Sequence, residues 1–239
     1  MTSFEKLITS LERHYYASLI MAIFELIAII ACITLIRKDK TAILFVTYLL
    51  FDFSILISSE YLRSFSHITK EELTFYRCIS NTLISCVELF VYYYFFLKTI
   101  DNKKAVDLMK LSRLLFLCVI IVFVTTRFRF LTTRYEYVAD IIGVIEFLLL
   151  LIPCFYYFYK LIKDDPALIL YERPSFWIAT GILFYSVMSI PYLLIDGFLI
   201  NNRSGRYLAL LDLALYYLPF TINFILLTRA FLCKKTLTT

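Results

Sequence analysis

With 239 residues, 61% of them hydrophobic and 18% charged, the chain is too apolar for an ordinary soluble domain, which carries about 45–50% apolar and about 25% charged residues. Four glycines and five prolines exclude a low-complexity or linker-rich chain. The formal net charge of +5 lies in the segments between apolar runs, where it reports membrane orientation and contact with lipid headgroups, not nucleic-acid binding.

Seven apolar segments predict an all-α fold, a single domain over residues 1–239 built as a bundle of seven transmembrane helices. The first span, about 15–36, follows the polar stretch MTSFEKLITSLERH and is closed by Arg37, Lys38 and Lys40. It is too long for a signal-peptide core and is read as a retained span. The second covers about 41–59. The third, about 73–98, is preceded by Thr69 and Glu72 at the spacing of a capping box. The fourth, about 111–126, is the shortest, and its amphipathic lead-in KKAVDLMKLSR extends the helix into the headgroups. The fifth covers about 137–160. The sixth, about 174–195, opens on Pro174, which suits a first helical turn. The seventh covers about 207–232. Pro153, Pro191 and Pro219 interrupt the last three spans and predict kinks. Such kinks fit a cavity or hinge, and equally plain packing. Short connections predict antiparallel neighbours.

The loops at 37–40, 98–113 and 160–173, the end of the last span at Arg229 and the C-terminal tail together hold 14 Lys and Arg residues, and the opposite side holds 10. The richer side is expected in the cytoplasm, with the N-terminus outside and the C-terminus inside.

The third span carries the most telling feature. Glu88 sits in its middle, and its nearest basic residues in sequence are Arg77 and Lys98. Asn81, Ser85, Glu88 and Tyr92 step by four, three and four, so they share one helical face. Five carboxylates fall in apolar runs: Glu25, Asp52, Glu88, Glu146 and Asp212. Each costs roughly 2.5–3.5 kcal/mol at a helix centre, so the set points inward. Stripes agree: Ser18, Glu25 and Cys32; Tyr48, Asp52 and Ser59; Gly143, Glu146, Pro153 and Tyr157; Asp212, Tyr216, Pro219 and Asn223. Spans one, two, three, five and seven are thus expected to line a polar interior. Arg63, Arg77, Arg127, Arg129 and Arg206 lie toward the outer end, where some could pair with Asp212 or Glu146. Two readings of the carboxylates stand side by side. They are protonated interhelical glue, or they form a ligand, proton or cation site that also takes in Tyr216 and Asn223.

Enzyme signatures are missing. His14 and His67 lie outside the spans, no HExxH or GxSxG motif occurs, and Asp52 and Asp140 lack the Gly-x-Gly-Asp context of intramembrane aspartyl proteases. No cofactor or metal motif is read. Six cysteines without CxxC or Cys/His spacing predict no zinc site, Cys78 alone near the expected outer face predicts no disulfide there, and Cys233 is expected as a buried or plain juxtamembrane thiol in preference to an acylated one.

Seven spans with an outer N-terminus resemble G-protein-coupled and retinal-binding receptors in layout alone. The last span has no lysine for a Schiff base, and the Asp-Arg-Tyr and Asn-Pro-x-x-Tyr signatures are absent. Span six carries a closer likeness. Pro174, Phe176, Trp177, Ile178, Gly181, Leu183 and Tyr185 resemble a segment of small bacterial seven-helix membrane proteins often encoded beside sensor histidine kinases. That resemblance implies the bacterial cytoplasmic membrane, a sensory or signalling-accessory role without enzymatic activity, and a cytoplasmic or membrane partner such as a histidine kinase. The competing expectations are a small transporter or channel for protons, cations or amines, and, further off, an intramembrane enzyme.

Overall fold

Inside a bilayer the backbone has no water to bond, so an apolar run satisfies its own N–H and C=O groups as helix. The computed structural model describes residues 3–36, 39–65, 69–128, 135–164, 170–199 and 211–233. Among them lie seven α-helices: α1 (Ser3–Ile36), α2 (Ala42–Phe65), α3 (Lys70–Thr99), α4 (Lys103–Phe128), α5 (Tyr135–Asp164), α6 (Pro174–Leu199) and α7 (Leu218–Phe231). A short 3₁₀ turn at Leu170–Glu172 precedes α6, and a wide π turn at Asp212–Tyr217 runs directly into α7.

Six helices are long and apolar enough to cross a membrane, through Tyr16–Ile36, Ala42–Ser59, Phe75–Thr99, Ala139–Lys163, Pro174–Ile195 and Leu213–Phe231. Helices of that length and composition make the chain an integral membrane protein. The described part of α4 carries no such stretch. Several helices outrun the expected spans, because hydropathy marks the hydrocarbon while the hydrogen-bond ladder continues to the next cap. The start of α4 is one case: Lys104 N and Ala105 N donate to Asn102 Oδ1 at 2.9 and 3.4 Å. At α3 the expected capping box is present, with Glu72 N donating to Thr69 Oγ1 and Thr69 N to Glu72 Oε2. Those bonds hold the Glu72 carboxyl below its usual pKa range. Residues 207–210 of the expected seventh span lie outside the described residues.

α1, α2, α3, α5, α6 and α7 pack in that order into a closed ring, with α7 returning onto α1. α4 stands outside, against α3 and α5. Neighbours in sequence do pack together, but α3 and α5 also meet directly, as parallel partners. Tyr93 ties the three elements: its hydroxyl donates to Leu149 O at 2.9 Å and shares a hydrogen bond of 3.1 Å with Ser112 Oγ. α4 buries Met109, Ser112, Phe116 and Ile120 at helical spacing and leaves Leu108, Leu111, Leu114, Leu115, Ile121 and Val122 exposed.

The basic half of the ring is filled by rings of another kind. Phe45, Tyr48, Tyr92, Phe95, Phe96 and Leu89 are all fully buried. Phe45 meets Tyr92, Phe95 and Phe231 edge to face at centroid distances of 5.9, 5.9 and 5.6 Å, the arrangement favoured by ring quadrupoles. Beyond this packing, Lys98 Nζ donates to Thr41 Oγ1 at 3.3 Å, and Lys160 pairs with Asp101 at 2.9 Å. Trp177 Nε1 donates to Tyr171 O at 2.9 Å, with Arg229 over its ring at 5.9 Å.

Candidate functional site

Chain direction alternates round the ring wherever neighbours are consecutive. The starts of α1, α3, α5 and the π turn therefore lie at one end with the finishes of α2 and α6. A cavity of about 410 Å³ occupies that half. Its deepest lining residues stop at one level: Glu25 on α1, Asp52 on α2, Glu88 on α3, Phe147 on α5, Tyr185 on α6 and Phe220 on α7. Fully packed Leu89, Tyr92 and Phe96 follow directly beneath on α3.

Four of the five carboxylates line this cavity: Glu25, Asp52, Glu88 and Glu146, with 1, 9, 2 and 1% exposure. The side chain of Asp212 lies outside the described residues. Tyr216 lines the wall as expected. Asn223 does not. It is buried two turns further along α7, below the cavity, because steps of three and four carry a stripe along the axis and out of a half-height pocket. Asp140, Arg77 and Cys78 line the part nearest the α3 and α5 starts. Of the arginines named as partners, Arg77 lines the cavity, and the side chains of Arg63, Arg127, Arg129 and Arg206 lie outside the described residues.

Asp52 is close enough to act electrostatically on Glu25 and on Glu88, and Glu88 on Glu146. Tyr48 neighbours Glu88, and Ser85 neighbours Glu146. Yet Glu25 Oε1, Glu88 Oε1 and Glu146 Oε1 are buried without a hydrogen-bond partner among the described residues. Each such atom costs roughly 1–3 kcal/mol when left unsatisfied. All three residues line the one cavity.

The expected lining lacked one wall. α6 contributes Tyr185, Ser189 and Tyr192, spaced four and three, the same stripe that betrays the other helices. Without a carboxylate among them, that signal stands out less from the apolar run. Tyr185 meets Phe147 at 4.8 Å and Phe220 at 4.4 Å, Phe220 meets Tyr216 at 5.0 Å, and Tyr216 meets Tyr192 at 5.4 Å. An aromatic wall thus faces an acidic one.

Beneath the cavity a buried polar series continues. Tyr48 and Tyr92 stand edge to face at 5.9 Å. The Tyr92 hydroxyl neighbours Asn223, although neither Tyr92 OH nor Asn223 Oδ1 makes a well-formed hydrogen bond among the described residues. Asn223 in turn sits against Gly181 of α6. All six cysteines are free. Among the described residues no three His, Cys, Asp or Glu side chains are grouped to hold a metal ion. No protein-family model, curated protein or solved structure matches the chain.

Proposed function

We propose that this chain is a sensory or signal-transducing accessory protein of the bacterial cytoplasmic membrane. In this reading it spans the bilayer seven times, with its N-terminus outside and its C-terminus in the cytoplasm. The carboxylate-lined cavity takes up a small ligand, proton or cation from outside, and the basic end relays occupancy to a partner such as a histidine kinase. The Lys and Arg asymmetry supports the orientation. Exposed leucines round most of α4 support its crossing the membrane as well, since such a surface is at home in lipid and not in water.

The observation that carries the proposal is the shape of the cavity. It holds unpartnered carboxylate oxygens and ends on a packed aromatic floor, so it suits reception more than passage. The series Tyr48, Tyr92 and Asn223 supports a route for the signal from Glu88 to the α6–α7 contact. Those two helices lead to the basic end, where Arg229 lies over Trp177 and Cys233 Sγ donates to Arg229 O at 3.4 Å. Burial holds the Cys233 thiol above its usual pKa, with Arg229 opposing that rise. Its thiolate fraction at neutral pH is therefore low, and any loosening is readable as faster alkylation.

The test compares Glu88→Gln with the unaltered chain in detergent. Cys233 alkylation by a neutral maleimide is expected to change at least about threefold, while the melting temperature moves by no more than about 4 °C, roughly 1 kcal/mol. A lower melting temperature with an unchanged Cys233 rate would make Glu88 interhelical glue and sink the sensory reading.

A further inference from the structure

We infer that the cavity's ligand is a monovalent organic ammonium ion with a flat apolar body, its nitrogen held among Glu25, Asp52 and Glu88 and its body against the ring wall of Tyr185, Phe220 and Tyr216. This rests on the proposal that the cavity is a binding site, and it names what the site selects.

Size is the first argument. A volume of about 410 Å³ lies in the range of small-molecule pockets, about 300–1,000 Å³, whereas one water occupies about 30 Å³. A proton or bare metal ion would leave almost all of it unfilled. Coordination is the second. The carboxylates come from four different helices and line the space without forming a three-ligand group among the described residues, so they suit a diffuse cation better than a chelated one. The third is the facing wall. Ring faces attract ammonium groups when water is excluded, and aromatic cages with nearby acids are how proteins hold amines. A metal ion or proton has no use for a wall of rings joined by four edge-to-face or tilted contacts of 4.4–5.4 Å. The last is charge balance. Arg77, the one base lining the cavity among the described residues, stands eleven residues from Glu88, about 16 Å along the helix. It is too distant to pair with the deep set, so positive charge beside those carboxylates has to come from the ligand.

Cys78, beside Arg77 on the cavity wall, makes a native reporter. The full-length protein is treated with cationic trimethylammonium-ethyl or anionic sulfonatoethyl methanethiosulfonate. Modification of Cys78 is read by peptide mass spectrometry and normalised to each reagent's rate with a free thiol. The cationic reagent is expected to react at least about tenfold faster, despite the neighbouring arginine. Phenethylammonium should protect Cys78, and phenethyl alcohol should not. Tyr185→Leu should raise the protecting concentration about tenfold, through loss of a ring that the ligand's flat body packs against, while Tyr185→Phe leaves it unchanged. Equal rates for both reagents, or equal protection by the alcohol, would overturn the ammonium assignment and leave the cavity standing. If neither reagent reaches Cys78, the cavity is closed to water and both proposals fall.

Discussion

Gly181 shows how tightly the polar series below the cavity is held. A Cβ at this position would lie 2.6 Å from Asn223 Oδ1 and 3.5 Å from Leu226 Cβ. Alanine ordinarily favours a helix over glycine by roughly 0.8–1.0 kcal/mol. Here the clash outweighs that gain, because the obstructing amide is itself enclosed, at 1% exposure. Overpacking of this kind costs about 1–3 kcal/mol. Gly181→Ala should therefore lower the melting temperature in detergent, and Asn223→Ala in the same chain should recover much of the loss. Additive losses in the double variant would show that the two residues do not constrain each other.

The turn before α7 makes the same point for an element. Pro219 has no N–H to give, so the helix ahead of it cannot keep a regular ladder. It widens instead: Leu218 N–H bonds Leu213 O, five residues back. α5 and α6 run through Pro153 and Pro191 without such a turn. Tyr216 and Tyr217 of this turn both line the cavity. π turns gather at functional sites. Pro219→Ala restores the missing donor and should raise the melting temperature while weakening protection of Cys78 by phenethylammonium. A stabilised variant with undiminished protection would show the π turn to be dispensable for the site. The sequence makes part of this legible. Glu25, Asp52, Glu88 and Glu146 announce their faces because a lone polar group in an apolar helix has few tolerable directions, and all four line one cavity. Pro219 announces irregularity, but whether a proline kinks or widens a helix depends on its neighbours in space. Tyr185, Ser189 and Tyr192 carry the right period without a charge, so hydropathy alone does not set them apart. The place of α4 outside the ring rests on α3 meeting α5, a contact between segments distant in sequence.

At the scale of the whole molecule, the closed ring and its half-filled interior bear on transport. A pathway needs the cavity to connect with the basic end, and the floor stands between them. Five edge-to-face contacts join Phe45, Tyr48, Tyr92, Phe95, Phe96 and Phe231. Such pairs contribute roughly 0.5–1.5 kcal/mol each. Opening the floor would break most of them together and would hydrate buried apolar surface besides. Shifting an equilibrium from about 1:99 to 99:1 takes about 5.5 kcal/mol of differential binding, so a single small ligand would have to spend nearly all its affinity on opening. Purified protein in liposomes should then pass sodium ions, protons and phenethylammonium no faster than protein-free vesicles, under an imposed gradient and with or without a membrane potential. Flux above that background that disappears in Glu88→Gln would make the cavity one half of a transport path and the aromatic floor its gate.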